Sequence, residues 1–446
     1  MGITSDLAEF VAGARAGDVP ASARARAALC ALDFFGCALG GCREPLVRAV
    51  ADTAAALGGS PQATVVGGGR RASVTHAALI NGAAANALDY DDMHVGMFGH
   101  PSGPVFAAAL AVAEWEGASG ADLMLAAVLG IDVECRLGNA VNPAHYYHGW
   151  HATGTLGHFG AAAASAKLLG LDADQTRHAL GMAGAQAAGI RQSLGTMTRP
   201  LHTGKAAANG ILAALLAQRG FTGPGAVIEG PDGFMACFAP GWRPEVVTEG
   251  LRKRFEIERV LFKRYAACFE VHAAINGLLA LRARHGLRPE QVRAVTARVY
   301  PHTMQMAARE NPQTGLEAKL SLQYCAAVAL AEGRVGEAEF GDIMVARDDL
   351  RALAARVRGH AEPGFPITQA EVTVTTVDGA ELTERVDLLA GEDRGNLERE
   401  LRAKFRALAA PVLGSEAAER LEAAVLDLEA ADSVASLMEL AVPDGL

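Results

Sequence analysis

Three histidines stand directly before runs of small residues: His100-Pro-Ser-Gly-Pro-Val-Phe-Ala, His151-Ala-Thr-Gly-Thr-Leu-Gly and His202-Thr-Gly-Lys-Ala-Ala-Ala. In each, a hydroxyl residue (Ser102, Thr153 or Thr203) is placed to cap a helix, and a glycine (Gly103, Gly154 or Gly204) to open its first turn. A helix N-terminus leaves backbone N–H groups unpaired and carries partial positive charge. Three such ends converging would form an anion pocket before any side chain is counted, and imidazoles there would move protons beside the bound anion. Each histidine taken alone reads equally well as a residue packed before a cap.

Upstream, Ala87-Leu-Asp-Tyr-Asp-Asp-Met-His94 puts Asp89, Asp91 and Asp92 within four positions. Such a group is suited to orienting an imidazole, capping a helix or holding a divalent cation. His145, His148 and His151 recur every third residue but lack the neighbouring Glu of a zinc-protease helix, so no metal is expected. Further on, Phe262-Lys-Arg-Tyr-Ala-Ala-Cys-Phe-Glu-Val-His272 brings Lys263 and His272 close to a helix start, with Lys263 equally suited to the surface. Leu316-Glu-Ala-Lys-Leu-Ser-Leu-Gln-Tyr324 leads into an Ala-rich helix where the Tyr324 hydroxyl would need a partner.

The elements that must position these groups follow from periodicity. Helices are expected from Ser5, from Pro20 and over 44–57, and Ala63 to Arg71 reads as a tight turn lacking either phosphate-loop spacing. Four Ala-rich helical patterns fill the stretch from Val74 to about Gln218. From roughly Gly250 the texture changes. Val292–Tyr300 reads as a strand, and 372–377 with 381–386 as a hairpin around Asp378-Gly379. Three charged amphipathic helices follow between Asn396 and Leu440, the middle one capped by Ser415. The predicted class is therefore mostly α with an α+β part: residues 1–245 all-helical, 246–394 α+β, and 395–446 returning to the helical domain.

Composition sets limits on the partners. The 446 residues are half hydrophobic but only 5% aromatic, so helices must pack closely through Ala, Leu, Val and Gly. A net charge of -10 without a Lys/Arg run argues against nucleic acid. No apolar run reaches the ~20 residues of a membrane span. Seven cysteines with no C-x-x-C pair read as reduced thiols of a cytoplasmic protein, without iron–sulfur cluster spacing.

Taken together, these segments resemble the MmgE/PrpD family, which includes 2-methylcitrate dehydratases, cis-aconitate decarboxylase and iminodisuccinate epimerase. The resemblance rests on Asn81-Gly to Asp89-Tyr-Asp-Asp with His100-Pro, Gly149-Trp-His151-Ala-Thr-Gly, Arg199-Pro-Leu-His202-Thr-Gly-Lys-Ala-Ala with Gly220-Phe-Thr-Gly-Pro, Lys263-Arg-Tyr through His272, and Glu317-Ala-Lys to Tyr324. It implies a large all-helical domain made from both chain ends, a smaller inserted α+β lid domain, a homodimer and no cofactor. It also implies a pocket containing Asp89, His100, His151, Arg199, His272 and Tyr324. Two positions depart from the family pattern. Met93 replaces the usual Thr, and Arg199 stands where Lys is usual, keeping the charge while substituting a fork suited to carboxylates.

The resemblance implies a small di- or tricarboxylate as substrate and a lyase of the dehydratase kind, with epimerisation, decarboxylation and non-catalytic carboxylate binding as alternatives. Arg199 is expected to clamp the carboxylate, with Lys205 as a second cation. His151 is the expected base and His100 the expected acid, with Asp89 orienting an imidazole. His272 would close the site, and Tyr324 would position a carboxylate or supply a proton. His202, Met93 and Lys263 are expected alongside the substrate.

Overall fold

The computed structural model describes residues 2–390 and 394–443, with the backbone alone for Arg394. The chain divides into two compact units, Met1–Phe262 with Glu398–Leu446, and Lys263–Leu397. The first unit thus continues past residue 245 to Phe262. The extra stretch stays with it because a short strand at Val260–Leu261 pairs with Met93–His94, deep in the helical sequence.

The first unit contains α1 (Ile3–Gly13), α2 (Ala21–Gly41), α3 (Pro45–Leu57), a hairpin of β1 (Ala63–Thr64) and β2 (Arg71–Ala72), α4 (Val74–Ala87), β3 (Met93–His94), α5 (Ser102–Glu116), α6 (Gly120–Val141), the single turn α7 (Ala144–Tyr147), α8 (Ala152–Leu168), α9 (Ala173–Gln186) and α10 (Thr198–Gln218). Short helices α11 (Phe234–Phe238) and α12 (Pro244–Thr248) lead to β4 (Val260–Leu261). Six helices longer than one turn therefore occupy the stretch where four patterns are legible in the sequence. Capping boxes at Ser119/Asp122 and Asp172/Gln175 start α6 and α9. Ser5 lies inside α1, whose N-cap is Gly2. No single helix among the described residues is long and apolar enough to cross a membrane.

Helix α10 packs against α4, α5, α8 and α9. Close approach is what the small residues make possible. A methyl added at Gly82 would lie 2.8 Å from the Gly204 Cα, one added at Gly210 would lie 2.6 Å from the Ala162 nitrogen, and one added at Gly204 would collide with the Leu79 carbonyl. Because the obstacle at Gly204 is backbone, Gly204→Ala is expected to cost about 1–3 kcal/mol through overpacking. Urea denaturation checks this, and a variant as stable as wild type would mean that α4 and α10 separate freely.

The second unit contains α13 (His272–His285), β5 (Val292–Val299), the short helices α14 (Thr303–Met306) and α15 (Gly315–Ala318), α16 (Leu322–Glu332), α17 (Asp342–Val345), α18 (Asp348–Ala354), β6 (Val357–Ala361), β7 (Gln369–Thr376) and β8 (Glu381–Asp387). Its four-stranded sheet runs β6-β5-β7-β8, with β5 and β6 parallel and the other pairs antiparallel. Along β7, Ala370, Val372, Val374 and Thr376 are buried in strict alternation, the pattern that made the hairpin legible. Helix α13 packs on β7 and β8, where Gly277 meets Val372. Strand β6, Val-Arg-Gly-His-Ala, has no such alternation and escaped the sequence reading.

The chain returns to the first unit within α19 (Arg394–Leu413), followed by α20 (Ser415–Leu426) and α21 (Val434–Leu440). Ser415 is the first helical residue of α20 rather than its cap, which is Gly414. Gly36 of α2 accommodates α19, since a methyl there would lie 3.3 Å from the Phe405 Cα. The chain is thus mostly helical, with a large helical unit and a smaller α+β one.

Candidate active site

The loop from α4 to α5 carries the acidic cluster, and it is held in an unusual backbone shape. Asp89 adopts φ 51°, a left-handed conformation that costs a non-glycine residue about 1–2 kcal/mol and persists where surrounding contacts over-determine it. Its carboxylate accepts from the Arg199 guanidinium at 2.8 Å. Asp91 accepts from the Asn86 amide at 2.7 Å. Asp92 accepts from the Ser102 backbone N–H at 3.2 Å, and the Ser102 hydroxyl donates to it in a short bond. Ser102 therefore serves the loop and is not a cap for α5. Burial, with the Asp33 charge behind it, pushes the Asp92 carboxyl well above the usual carboxylate range.

His100 sits between these groups. Its Nδ1 lies 2.6 Å from the Asp92 carbonyl oxygen, and its Nε2 2.9 Å from Arg199 Nη2. A guanidinium only donates and a carbonyl only accepts, so the imidazole holds its proton on Nδ1 and presents the Nε2 lone pair to Arg199. The Asp91 carboxylate lies 3.7 Å from the same Nδ1. The His100 backbone N–H donates to the Thr153 hydroxyl at 2.9 Å, which gives Thr153 a bridging role in place of the expected cap.

His151 is the N-cap residue of α8, buried, with its Nδ1 3.1 Å from the Nδ1 of His202. Burial depresses the His151 imidazole well below its usual range, and the Arg199 charge acts in the same direction. His202 is half-buried and also lowered, by burial and then by Arg199. Of two neutral rings meeting through Nδ1, one donates and the other accepts. When His151 donates, its Nε2 is a lone pair available to take a proton.

His202 does not open a helix. Helix α10 begins at Thr198, because Pro200 falls in the first turn, where a missing N–H is tolerated. Thr203 and Gly204 are therefore interior and cap nothing. The starts of α5 and α8 and the first turns of α10 instead meet through glycines: Gly103 against Thr203, and Gly154 against the His202 Cβ at 3.1 Å. Close backbone packing, rather than three converging helix ends, brings the histidines together.

Within the first unit the structure thus gathers Asp89, His100, His151, Arg199 and His202, and buries Met93 on β3. Lys205 is exposed on α10. One ligand-type atom each from Asp89, Asp91 and His100 lie within 4.8 Å of one another, a spacing a metal ion could bridge, but the Arg199 guanidinium is hydrogen-bonded to two of the three. The cation built into the site is organic. Ser102, Thr153 and Asn86 are supporting residues whose roles had no sequence signal beyond their small polar side chains.

In the second unit, His272 opens α13 and is buried between Tyr265 and Phe269, with Nε2 3.2 Å from the Ala267 carbonyl. Lys263 is buried as well, against the surface alternative. The Tyr324 hydroxyl donates to the Glu339 carbonyl at 2.7 Å, the partner its burial demanded, and burial raises its pKa.

Two other buried imidazoles have structural roles. His145 bonds Phe238 and Thr155, and His158 bonds Gly154 and Asn209. Burial lowers each to about 4. A folded pKa below the unfolded value means the unfolded chain binds more protons in that window, so stability is full above about 6.5 and falls as pH drops toward about 4. Each imidazole is expected to account for roughly 3 kcal/mol of that loss. Urea unfolding between pH 7 and pH 4 checks it, and a slope unaltered by His158→Gln would exclude His158 as a contributor.

A buried guanidinium, two neutral imidazoles in contact and a third imidazole flanked by carboxylates define a site for acid/base work on an anion. The chain belongs to the MmgE/PrpD family: the family's N-terminal domain matches residues 5–247 and its C-terminal domain residues 265–430. It is 33% identical over 373 residues to the human cis-aconitate decarboxylase, covering 80% of this chain and 76% of that protein. It is 30% identical to the cis-aconitate decarboxylase-like protein oryM of Aspergillus oryzae and 27% identical to the cis-aconitate decarboxylase of Aspergillus terreus, each over 98% of this chain and at least 96% of the relative. This is an enzyme family of lyase type that acts on carboxylates.

Proposed function

We propose that the protein is a lyase acting on a small di- or tricarboxylate of the citrate–aconitate series, by proton transfer at a carbon next to a carboxylate. The observation that carries this reading is the neutral, buried His151 held through Nδ1 by His202 and close enough to Arg199 to be depressed by its charge. A neutral imidazole beside a fixed cation is a base poised to act where an anion has been drawn in.

In this reading the guanidinium of Arg199 takes the substrate carboxylate adjoining the reacting carbon and stabilises the negative charge that builds there. His151 Nε2 removes the α-hydrogen. In a dehydration, that electron pair forms the C=C bond, the C–O bond breaks, and hydroxide leaves as water with a proton from His100. For this the His100 Nε2, turned from the guanidinium as the substrate engages Arg199, first takes up a proton from solvent, with Asp89 and Asp91 on hand to balance the imidazolium, and then gives that proton to the leaving hydroxide. Dehydration of a 2-methylcitrate-like acid is the leading step. Inversion without a leaving group, as in iminodisuccinate epimerisation, uses the same base and acid.

Decarboxylation of cis-aconitate is the second reading, favoured by the names of relatives that match over 80% to 98% of the chain. There a C–C bond breaks with loss of carbon dioxide, the double bond shifts, and a histidine delivers a proton to carbon. Incubation with 2-methylcitrate, citrate, cis-aconitate and iminodisuccinate in deuterated water, followed by mass spectrometry, separates these outcomes. Loss of water marks a dehydratase, carbon dioxide with one carbon-bound deuterium a decarboxylase, and exchange without change of composition an epimerase. Thermal stabilisation by these acids with no product from any would overturn the enzymatic reading in favour of a carboxylate-binding protein.

A further inference from the structure

Lys404, on the helix α19 that returns from the far end of the chain, reaches the acidic loop of the site. Its Nζ donates to the Asp33 carboxylate of α2 at 2.6 Å and to the Tyr90 backbone carbonyl at 2.6 Å, and it lies 4.0 Å above the Tyr90 ring. Lys404, Asp33 and Tyr90 are all buried. Tyr90 is the residue between the left-handed Asp89, which pairs with Arg199, and Asp91, which faces His100.

We propose that Lys404 is a positioning residue of the active site, with Asp33 orienting its ammonium group, and that it fixes the peptide of Tyr90 so that Asp89 and the Asp92 carbonyl hold Arg199 and His100 in register. This rests on the reading of Asp89, His100 and Arg199 as working groups. The contacts form one chain: Asp33 holds the ammonium, and the ammonium holds the Tyr90 carbonyl. Asp89 and Asp92, one residue before and two after, then hold the guanidinium and the imidazole Nδ1–H. The strained backbone at Asp89 needs such an outside tether, since its own sequence would relax to a right-handed or extended turn. Burial alone would pull the ammonium down, but the Asp33 carboxylate outweighs it and keeps Lys404 charged. Gly36 on α2 supplies the space that brings α19 this close.

A simple structural ion pair and a positioning clamp respond differently to removal of both charges. Replacing both partners of a buried pair with neutral groups commonly restores stability. It does not restore a donor to the Tyr90 carbonyl. Lys404→Met is therefore expected to lower kcat on the order of 100-fold, as misplacement of reacting groups does. KM should stay within about threefold, and histidine-selective ¹⁵N NMR should show loss of the single Nδ1–H tautomer of His100. Asp33→Asn/Lys404→Met is expected to regain thermal stability but neither kcat nor the His100 signal. Lys404→Gln, which keeps a donor on a shorter side chain, should fall between and serves if Lys404→Met does not fold.

Recovery of kcat together with stability in the double variant would overturn the proposal. So would an unchanged His100 tautomer in Lys404→Met or in the double variant. The NMR measurement needs no substrate, so it tests the clamp even where none of the four acids is converted, an outcome that would count against the functional reading alone.

Discussion

Arg199→Ala is expected to lower kcat/KM by at least the ~10²–10³-fold that follows removal of a single charge-stabilising donor. The loss should be larger than that of one hydrogen bond for two reasons. The guanidinium would stabilise charge on the substrate, and it also bonds Asp89 and the Nε2 of His100, so its removal deletes both of these contacts. Asp89 is buried and would lose the Arg199 guanidinium, and deleting one partner of a buried pair costs about 3–5 kcal/mol. Lowered stability should accompany lowered activity, and Arg199→Lys separates them. Lysine keeps the charge and the pairing with Asp89, so stability should largely return, while the forked contact does not. Steady-state kinetics on the converted acid and urea denaturation of both variants check this. An Arg199→Ala enzyme with kcat/KM near wild type would remove Arg199 from the site.

His151→Asn is expected to cost about 10²–10⁴-fold in kcat, the range for loss of a general base. Asparagine keeps a polar group near His202 Nδ1, so the packing at the start of α8 should survive while the titrating lone pair does not. The wild-type pH profile should carry the same signature. The depressed His151 imidazole means the base stays unprotonated to well below pH 6.5, so activity should persist on the acidic side and fall only as protonation finally reaches it. Single-turnover proton exchange in deuterated water is the direct measurement. Unchanged exchange in His151→Asn would transfer the base role to another imidazole, with His100 next in line because its Nε2 is also a lone pair.

How much of this was legible in the sequence depends on whether a signal was local. The strands β5, β7 and β8 were readable because alternation and the Asp378-Gly379 turn are properties of consecutive residues. β6 was not, because a parallel partner supplied by β5 holds a segment with no alternation of its own. The histidine-before-glycine pattern marked His100, His151 and His202 as helix-start residues of an anion pocket, whereas the structure brings them together through close packing at glycines. The inferred cause was wrong for all three hydroxyls, since Ser102 and Thr153 bond to the loop and to His100, and Thr203 lies inside α10. Lys404 resembled any solvated cation of a charged amphipathic helix. Asp33 did carry a hint, as a lone carboxylate in the apolar run Ala-Leu-Asp-Phe-Phe, where burial requires a partner.

By itself the sequence determined the mostly helical class, the change to α+β texture, the family, and the set of residue types able to bind and deprotonate a carboxylate. These follow from periodicity, composition and short motifs, which are carried by neighbours along the chain. Only the tertiary structure decided that Arg199 bonds both Asp89 and His100, that His100 carries its proton on Nδ1, that His151 leans on His202, and that a lysine more than three hundred residues away in sequence grips the loop. Hydrogen-bond partners, tautomers and burial depend on which groups are brought within about 3 Å by packing. That is set by helix contacts through glycines far apart in the chain, and no local pattern encodes it.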